Sequence, residues 1–222
     1  VDRRQRQMCI RDRDWTAFLK GLDAYNEHLT AKGIVYARSM YNIQHTVTPN
    51  DGMLEVKLEC IRPDMEIHYT TDGSEPTATS PLYEKIVPVK EALTLKGATF
   101  AYGRQMGKTL ILPVRWNLAT AKPVLGTNPT EKLLTNGIRG SLKYSDFEWC
   151  SWADNDSVSF TIDLLKPEML NTLTLGCITN NGMAIHKPAS VRVEVSDDNS
   201  KFREAVVQSF TSEEIFLSLI HI

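Results

Sequence analysis

Apolar and polar residues alternate along most of this chain, and one stretch departs from that period. Trp15, Phe18, Leu19, Leu22, Tyr25 and Leu29 recur at mostly three- and four-residue steps, which predicts an amphipathic helix over 14–32. Asp14 is placed to cap its N-terminus and Gly33 to stop it. A stripe this rich in aromatic rings needs a large partner surface. From Ile43 the period shortens to two. Leu54, Val56, Leu58 and Cys60 alternate with Glu55, Lys57 and Glu59, the pattern of a half-buried strand. Ile67 and Tyr69 repeat it, and Thr71-Asp72-Gly73-Ser74 supplies turn chemistry. Pro76 and Pro81 stiffen the way out, and Tyr83 is placed to cover the turn with its ring. Leu93, Leu95 and Phe100 resume the apolar face before Tyr102-Gly103 turns the chain. Leu110, Leu112, Val114 and Trp116 close the unit around Pro113.

Strands this short and this regularly punctuated predict an antiparallel sandwich over 43–122. Asn117–Pro129 reads as a linker, and a second β unit follows over 123–216. In it Val158, Phe160, Ile162 and Leu164 share one face. Leu173, Leu175 and Cys177 share another, and Val191, Val193 and Val195 a third, ending at a Ser196-Asp197-Asp198-Asn199 turn. The fold class is therefore mainly β, with one N-terminal helix.

Composition narrows the partners. The 222 residues are 42% hydrophobic and 23% charged, with a net charge of −2. That balance exerts no pull toward nucleic acid or anionic membranes. No apolar run approaches the roughly 20 residues of a membrane-spanning helix. The arginine-rich start has no apolar run behind it, so no signal-peptide pattern is read there. Its basic stretch, Arg6 to Arg13, lacks the interleaved aromatics of a nucleic-acid arm. Cys9, Cys60, Cys150 and Cys177 show no metal-ligand spacing, and Cys60 and Cys177 fall on apolar phases, so buried free thiols are expected.

Two resemblances organise these elements. YTTDGSEPTATSPLYEKIVPV followed by LTLKGATFAYGRQMG, within Glu66–Tyr102, resembles the small β-sandwich module behind the catalytic barrel of bacterial β-N-acetylhexosaminidases of glycoside hydrolase family 20. DWTAFLKGLDAYNEHLTAKGIVYARS resembles the last helix of that (β/α)8 barrel and its exit segment, over 14–42. The order LTNGIRGS, YSDFEW, VSFTIDL, LTLGCI, KPASVRVEVSDDNSKF resembles the discoidin, or F5/8 type C, jelly roll, a fold shared with family 32 carbohydrate-binding modules. Complete jelly rolls carry several more strands, so an incomplete one with an exposed edge is expected. QMCIRDR and LSLIHI resemble translated sequencing-adapter DNA, so residues 1–13 and 217–222 are read as non-native ends.

The resemblance implies a parent enzyme, exported to the periplasm or secreted, that releases terminal N-acetylhexosamine from glycans. Its catalysis would use an adjacent Asp-Glu pair on the barrel, with the substrate's own acetamido group as nucleophile. No Asp directly precedes a Glu in this chain. No catalytic residue is therefore assigned, and the missing N-terminal barrel is an expected partner. Asp197-Asp198 reads as turn chemistry and Glu213-Glu214 as a solvated pair. His28, His45, His68 and His186 are scattered, with His68 on a polar phase and expected to be exposed. Gly107-Lys108-Thr109 lacks the upstream glycine of a phosphate loop, and neither a zinc-protease helix motif nor a nucleophile elbow is present.

Two binding roles follow from the jelly-roll resemblance. No cofactor is required, but a structural Ca²⁺ is implied near Asn136 and Ser141, although an Asp is usual where Asn136 stands. For a glycan partner the candidates are Trp149, Trp152, Asn180, Asn181 and His186. Rings stack on sugars, and amides and imidazoles bond hydroxyls. Core packing is the competing role for both tryptophans. A free-standing lectin-like protein and a purely structural module are the alternatives to an accessory region.

Overall fold

The computed structural model describes residues 14–126, 128–153, 157–210 and 220–221. The N-terminal end read as non-native lies outside them, as does the Glu213-Glu214 pair. Of the C-terminal end, only Ile220 and His221 are described.

Helix α1 (Trp15–Ala31) forms as its period predicts. The Asp14 carboxylate accepts a hydrogen bond from the Ala17 amide at 3.0 Å, satisfying one of the unpaired first-turn donors. At the other end Gly33 takes φ +69, and the Ile34 and Gly33 amides donate to Leu29 and Thr30 oxygens. That pairing closes the last turn as a Schellman motif, which needs the left-handed residue glycine supplies. Leu19 and Asn26 are buried. Trp15, Phe18 and Tyr25 are not: Trp15 and Phe18 stack on each other at 5.3 Å and stay in solvent. The aromatic part of the stripe is thus uncovered within residues 14–40.

The rest is β. Strands β1 (Ile43–Asn50), β2 (Met53–Cys60), β3 (Glu66–Thr70), β4 (Val87–Val89), β5 (Leu93–Ala101), β6 (Arg104–Gln105) and β7 (Leu110–Val114) build two antiparallel sheets. One has the order β1-β2-β4, and the other has β5 between β3 and β7, with β6 hairpinned onto its end. Asp51-Gly52 and Tyr102-Gly103 join their strands with both residues at positive φ, the turn whose twist matches that of the strands. Pro113 is tolerated because β7 lies at a sheet edge, opposite Thr94 of β5.

Register explains the core. Val47, Val56 and Val87 lie opposite one another across β1, β2 and β4, and Leu95 lies opposite Leu112. These residues join Ile43, Leu54, Leu58, Ile67, Val89, Val114 and Ala121 in one buried cluster. Leu54, Val56 and Leu95 retain no exposure.

Tyr83 ties the two sheets together. Its amide donates to the Ile67 carbonyl and the Tyr69 amide donates to the Pro81 carbonyl, so residues 81–83 run along the edge of β3. Its phenolic oxygen accepts from the Leu58 amide at 3.1 Å, where β4 has already ended. Its ring meets Tyr69 edge-on at 6.3 Å.

The same segment overturns the expectation that His68 is exposed. His68 is 7% exposed, its Nδ1 lies 2.6 Å from the Ser80 carbonyl, and Phe100 meets its ring edge-on. The carbonyl can only accept, so Nδ1 carries the proton. Polar phase here does not mean solvent: Ala98 and Phe100, on the same face of β5, are buried too.

The 123–210 region is built from shorter pieces. β8 (Val124–Leu125) pairs with β9 (Thr161–Ile162), and β10 (Thr172–Leu173) pairs with β13 (Ile220–His221). β11 (Ser190–Val195) pairs with β12 (Arg203–Ser209). The 158–164 and 173–177 alternations thus become two-residue ladders. Among the described residues, no apolar side chain after Ala121 is buried. Cys60, Cys150 and Cys177 are outside any disulfide, as expected, but half-buried rather than buried, and desolvation pushes each thiol up.

Tyr83→Phe keeps the ring and removes only the acceptor for the Leu58 amide. Leaving that donor unpaired costs about 1–3 kcal/mol. A lower urea midpoint with unchanged slope is the expected result.

Candidate functional site

The candidate site grows from the segment that follows the sandwich. The Arg115 amide donates to the Gly137 carbonyl at 2.8 Å and the Ala121 amide to the Thr135 carbonyl at 2.9 Å. The Thr135 hydroxyl donates to the Lys122 carbonyl at 2.9 Å. Ile138 packs against the core cluster. Gly137 passes so close that a Cβ there would sit 2.6 Å from the Arg115 carbonyl oxygen and 3.1 Å from Leu54 Cδ1. No larger residue fits.

This passage buries Asn136, which is 1% exposed and whose side-chain amide is engaged on both its donor and acceptor sides. Its oxygen accepts from the Ile138 amide at 2.9 Å, and its Nδ2 donates to Glu148 Oε2 at 2.9 Å. Glu148 Oε1 lies 3.0 Å from His45 Nε2. His45 stands on β1 in the same alternating row as the buried Ile43 and Val47, where an apolar residue would be expected. One carboxylate thereby joins an edge strand of the sandwich to the loop beyond it. With a partner on each oxygen, a half-buried carboxylate is satisfied rather than stranded.

The loop carrying Glu148 is braced from within. Asp146 accepts from the Ser141 amide at 2.5 Å through Oδ2 and from the Glu148 amide at 3.0 Å through Oδ1. Partial burial raises the Asp146 carboxyl, but these bonds to its charged form outweigh that and hold it below the usual carboxylate range. Ser141 Oγ accepts from the Lys143 amide.

The predicted glycan candidates separate into two groups. Trp149 is half-buried, donates from Nε1 to the Ser141 carbonyl at 3.0 Å, and lies close against Gly140. Trp152 stacks on Phe160 at 5.9 Å with 8° between the rings, and its Nε1 donates to the buried Glu131 at 3.2 Å. Asn180, Asn181 and His186 occupy another loop, in which Asn180 bridges to Ile185 around a 3-10 turn, Asn181–Met183. Asn181 and His186 are exposed.

Of the predicted calcium candidates, Asn136 is engaged as above and Ser141 is exposed. No group of three His, Cys, Asp or Glu side chains placed to hold a metal occurs among the described residues. Asp198, in the turn read from sequence, accepts from the Ser200 and Lys201 amides, which hold its carboxyl far below the usual range. Asp72 likewise accepts from Ser74, and Glu75 pairs with Lys96.

Sequence reasoning passed over Phe147. It sits between Asp146 and Glu148 at φ +64, a conformation a bulky residue rarely takes, and is 88% exposed. Tyr144 and Leu142 of the same loop are also exposed. The available signal was the run Tyr144-Ser145-Asp146-Phe147-Glu148-Trp149, in which alternate positions cannot all be buried.

Two comparisons bear on the chain. Residues 49–110 match the family model described as the chitobiase/beta-hexosaminidase C-terminal domain. That span covers β2 to the start of β7 and supports the reading of the sandwich as this module of a hexosaminidase-type protein. No curated protein matches the chain.

Glu148→Ala strips the acceptor from the buried Asn136 amide and should lower stability by about 1–3 kcal/mol in urea titration. Glu148→Gln, which keeps an acceptor, should lose less. Because the folded Asp146 carboxyl is held low, its stabilisation is present above the unfolded value, about pH 3.9. It is lost as the pH falls through the folded value. Asp146→Asn should therefore weaken the loop at neutral pH and flatten its acid dependence, read from the Trp149 indole N–H resonance.

Proposed function

We propose that this chain is a non-catalytic, C-terminal accessory region of a β-N-acetylhexosaminidase that acts on terminal N-acetylhexosamine of glycans. The observation that carries the reading is the family match over 49–110, which falls within a two-sheet antiparallel unit sharing one buried core. It is supported by the absence of any adjacent Asp-Glu pair in the sequence. Under this reading α1 is the last helix of the catalytic barrel, and Trp15, Phe18 and Tyr25 are the rings that the barrel covers. Their exposure fits a partner surface supplied from outside the described chain.

The 123–216 region is, in the same reading, a discoidin-like jelly roll that helps hold the substrate or braces the barrel. Asn181 and His186 are its accessible polar candidates for a glycan. Trp149 and Trp152 would offer only the ring faces not already packed. A Ca²⁺ near Asn136 and Ser141 would bind through backbone carbonyls and the Ser141 hydroxyl, since the Asn136 amide is engaged by Ile138 and Glu148.

The purified chain should release no chromophore from a chromogenic N-acetylglucosaminide above a mock preparation. Turnover would end the non-catalytic reading. The genomic sequence upstream should encode a barrel with an adjacent Asp-Glu pair. An unrelated upstream frame would remove the parentage.

A further inference from the structure

We propose that the Ser141–Phe147 loop is a sugar-stacking site in which Phe147 presents its ring to the C–H face of a pyranose. The inference rests on the reading of the chain as an accessory region of a glycan-processing protein, and it places the contact on a residue outside the tryptophan, asparagine and histidine set. Phe147 is 88% exposed and held at φ +64. Both features are unfavourable: the ring stays in water, and a bulky side chain at positive φ is sterically strained. A free loop would relax either one.

This loop is not free. Asp146 clamps the amides on either side of the tip, at Ser141 and Glu148, and the Asp146 amide donates to the Lys143 carbonyl at 3.2 Å. The next residue, Glu148, is gripped by His45 of β1 and by the buried Asn136. Phe147 is therefore rigidly displayed between two anchored neighbours. A ring fixed in place before binding loses little entropy when a ligand arrives.

The size and chemistry of the surface select the occupant. Phe147, Tyr144 and Leu142 are three side chains at a loop tip. A stable protein interface needs about 800 Å² from each partner, far more than such a tip presents. A single sugar ring needs one aromatic face with hydrogen-bonding groups around it. The exposed Lys143, Tyr144 and Ser145 supply an ammonium and two hydroxyls on the same short loop.

The test is saturation-transfer NMR of the whole chain with N-acetylglucosamine, N-acetylgalactosamine and galactose as separate probes. Saturable transfer to the ring C–H protons of at least one sugar is expected. Phe147→Ala should weaken it roughly tenfold, the scale of one lost aromatic contact. Met169→Ala, at an exposed apolar side chain outside this loop, should leave it unchanged. Phe147→Gly, which also relieves the backbone, should weaken binding as much while raising the urea midpoint, separating loss of the ring from loss of the fold. Binding that survives both Phe147 variants overturns the proposal, as does the absence of saturable transfer from all three sugars. None of these results touches the parentage, which the upstream gene decides.

Discussion

The passage of Asn136, Gly137 and Ile138 across the open side of the sandwich is the constraint on which most of this β structure depends. Sheets of three and four strands leave the ends of their shared core uncovered unless something crosses them. Ile138 joins that core, and Gly137 lies almost against Leu54, a fully buried side chain of β2. Arg115 and Ala121 fix the crossing through their amides. The segment behaves as a closing piece of the first unit although it lies beyond the linker predicted from sequence.

That crossing has a polar consequence. It carries Asn136 into the interior, and a buried amide needs partners on both its donor and acceptor sides. Glu148 meets the donor, and its second oxygen reaches His45, replacing what would otherwise be an apolar residue in the β1 row. The polar residues at this seam are thus linked, each making the next one tolerable. The seam differs in kind from the 123–210 region it leads into, where no described apolar side chain is buried and sheets are two-stranded.

The sequence was most legible where one local rule decided the outcome. Alternation in β2, the Asp14 cap and the Gly33 stop are local, and each appears where the residues implied it. His68 was misread because period two assigns a face but not the exposure of that face. The 81–83 segment and Phe100 put it inside. For the aromatic stripe of α1, periodicity says which side chains want cover and nothing about which molecule supplies it. At the candidate site, His45 and Glu148 lie 103 positions apart, and no pattern in a single chain announces such a pair. Phe147 was hidden differently: positive φ at a phenylalanine runs against every propensity a reader would apply.

The closing segment also separates two boundaries that are easily treated as one. The stretch recognisable as a family module ends at residue 110, whereas the last side chain packed on the same core is Ile138. Inheritance and packing therefore draw different edges around this unit. A recombination point between them would carry the recognisable module intact and still leave Leu54 facing water. Gene fusions that preserve the module must either bring the later stretch along or evolve a new lid from whatever sequence comes next. That demand would restrict which downstream domains can follow this sandwich, and it acts through a glycine contact rather than through any functional requirement.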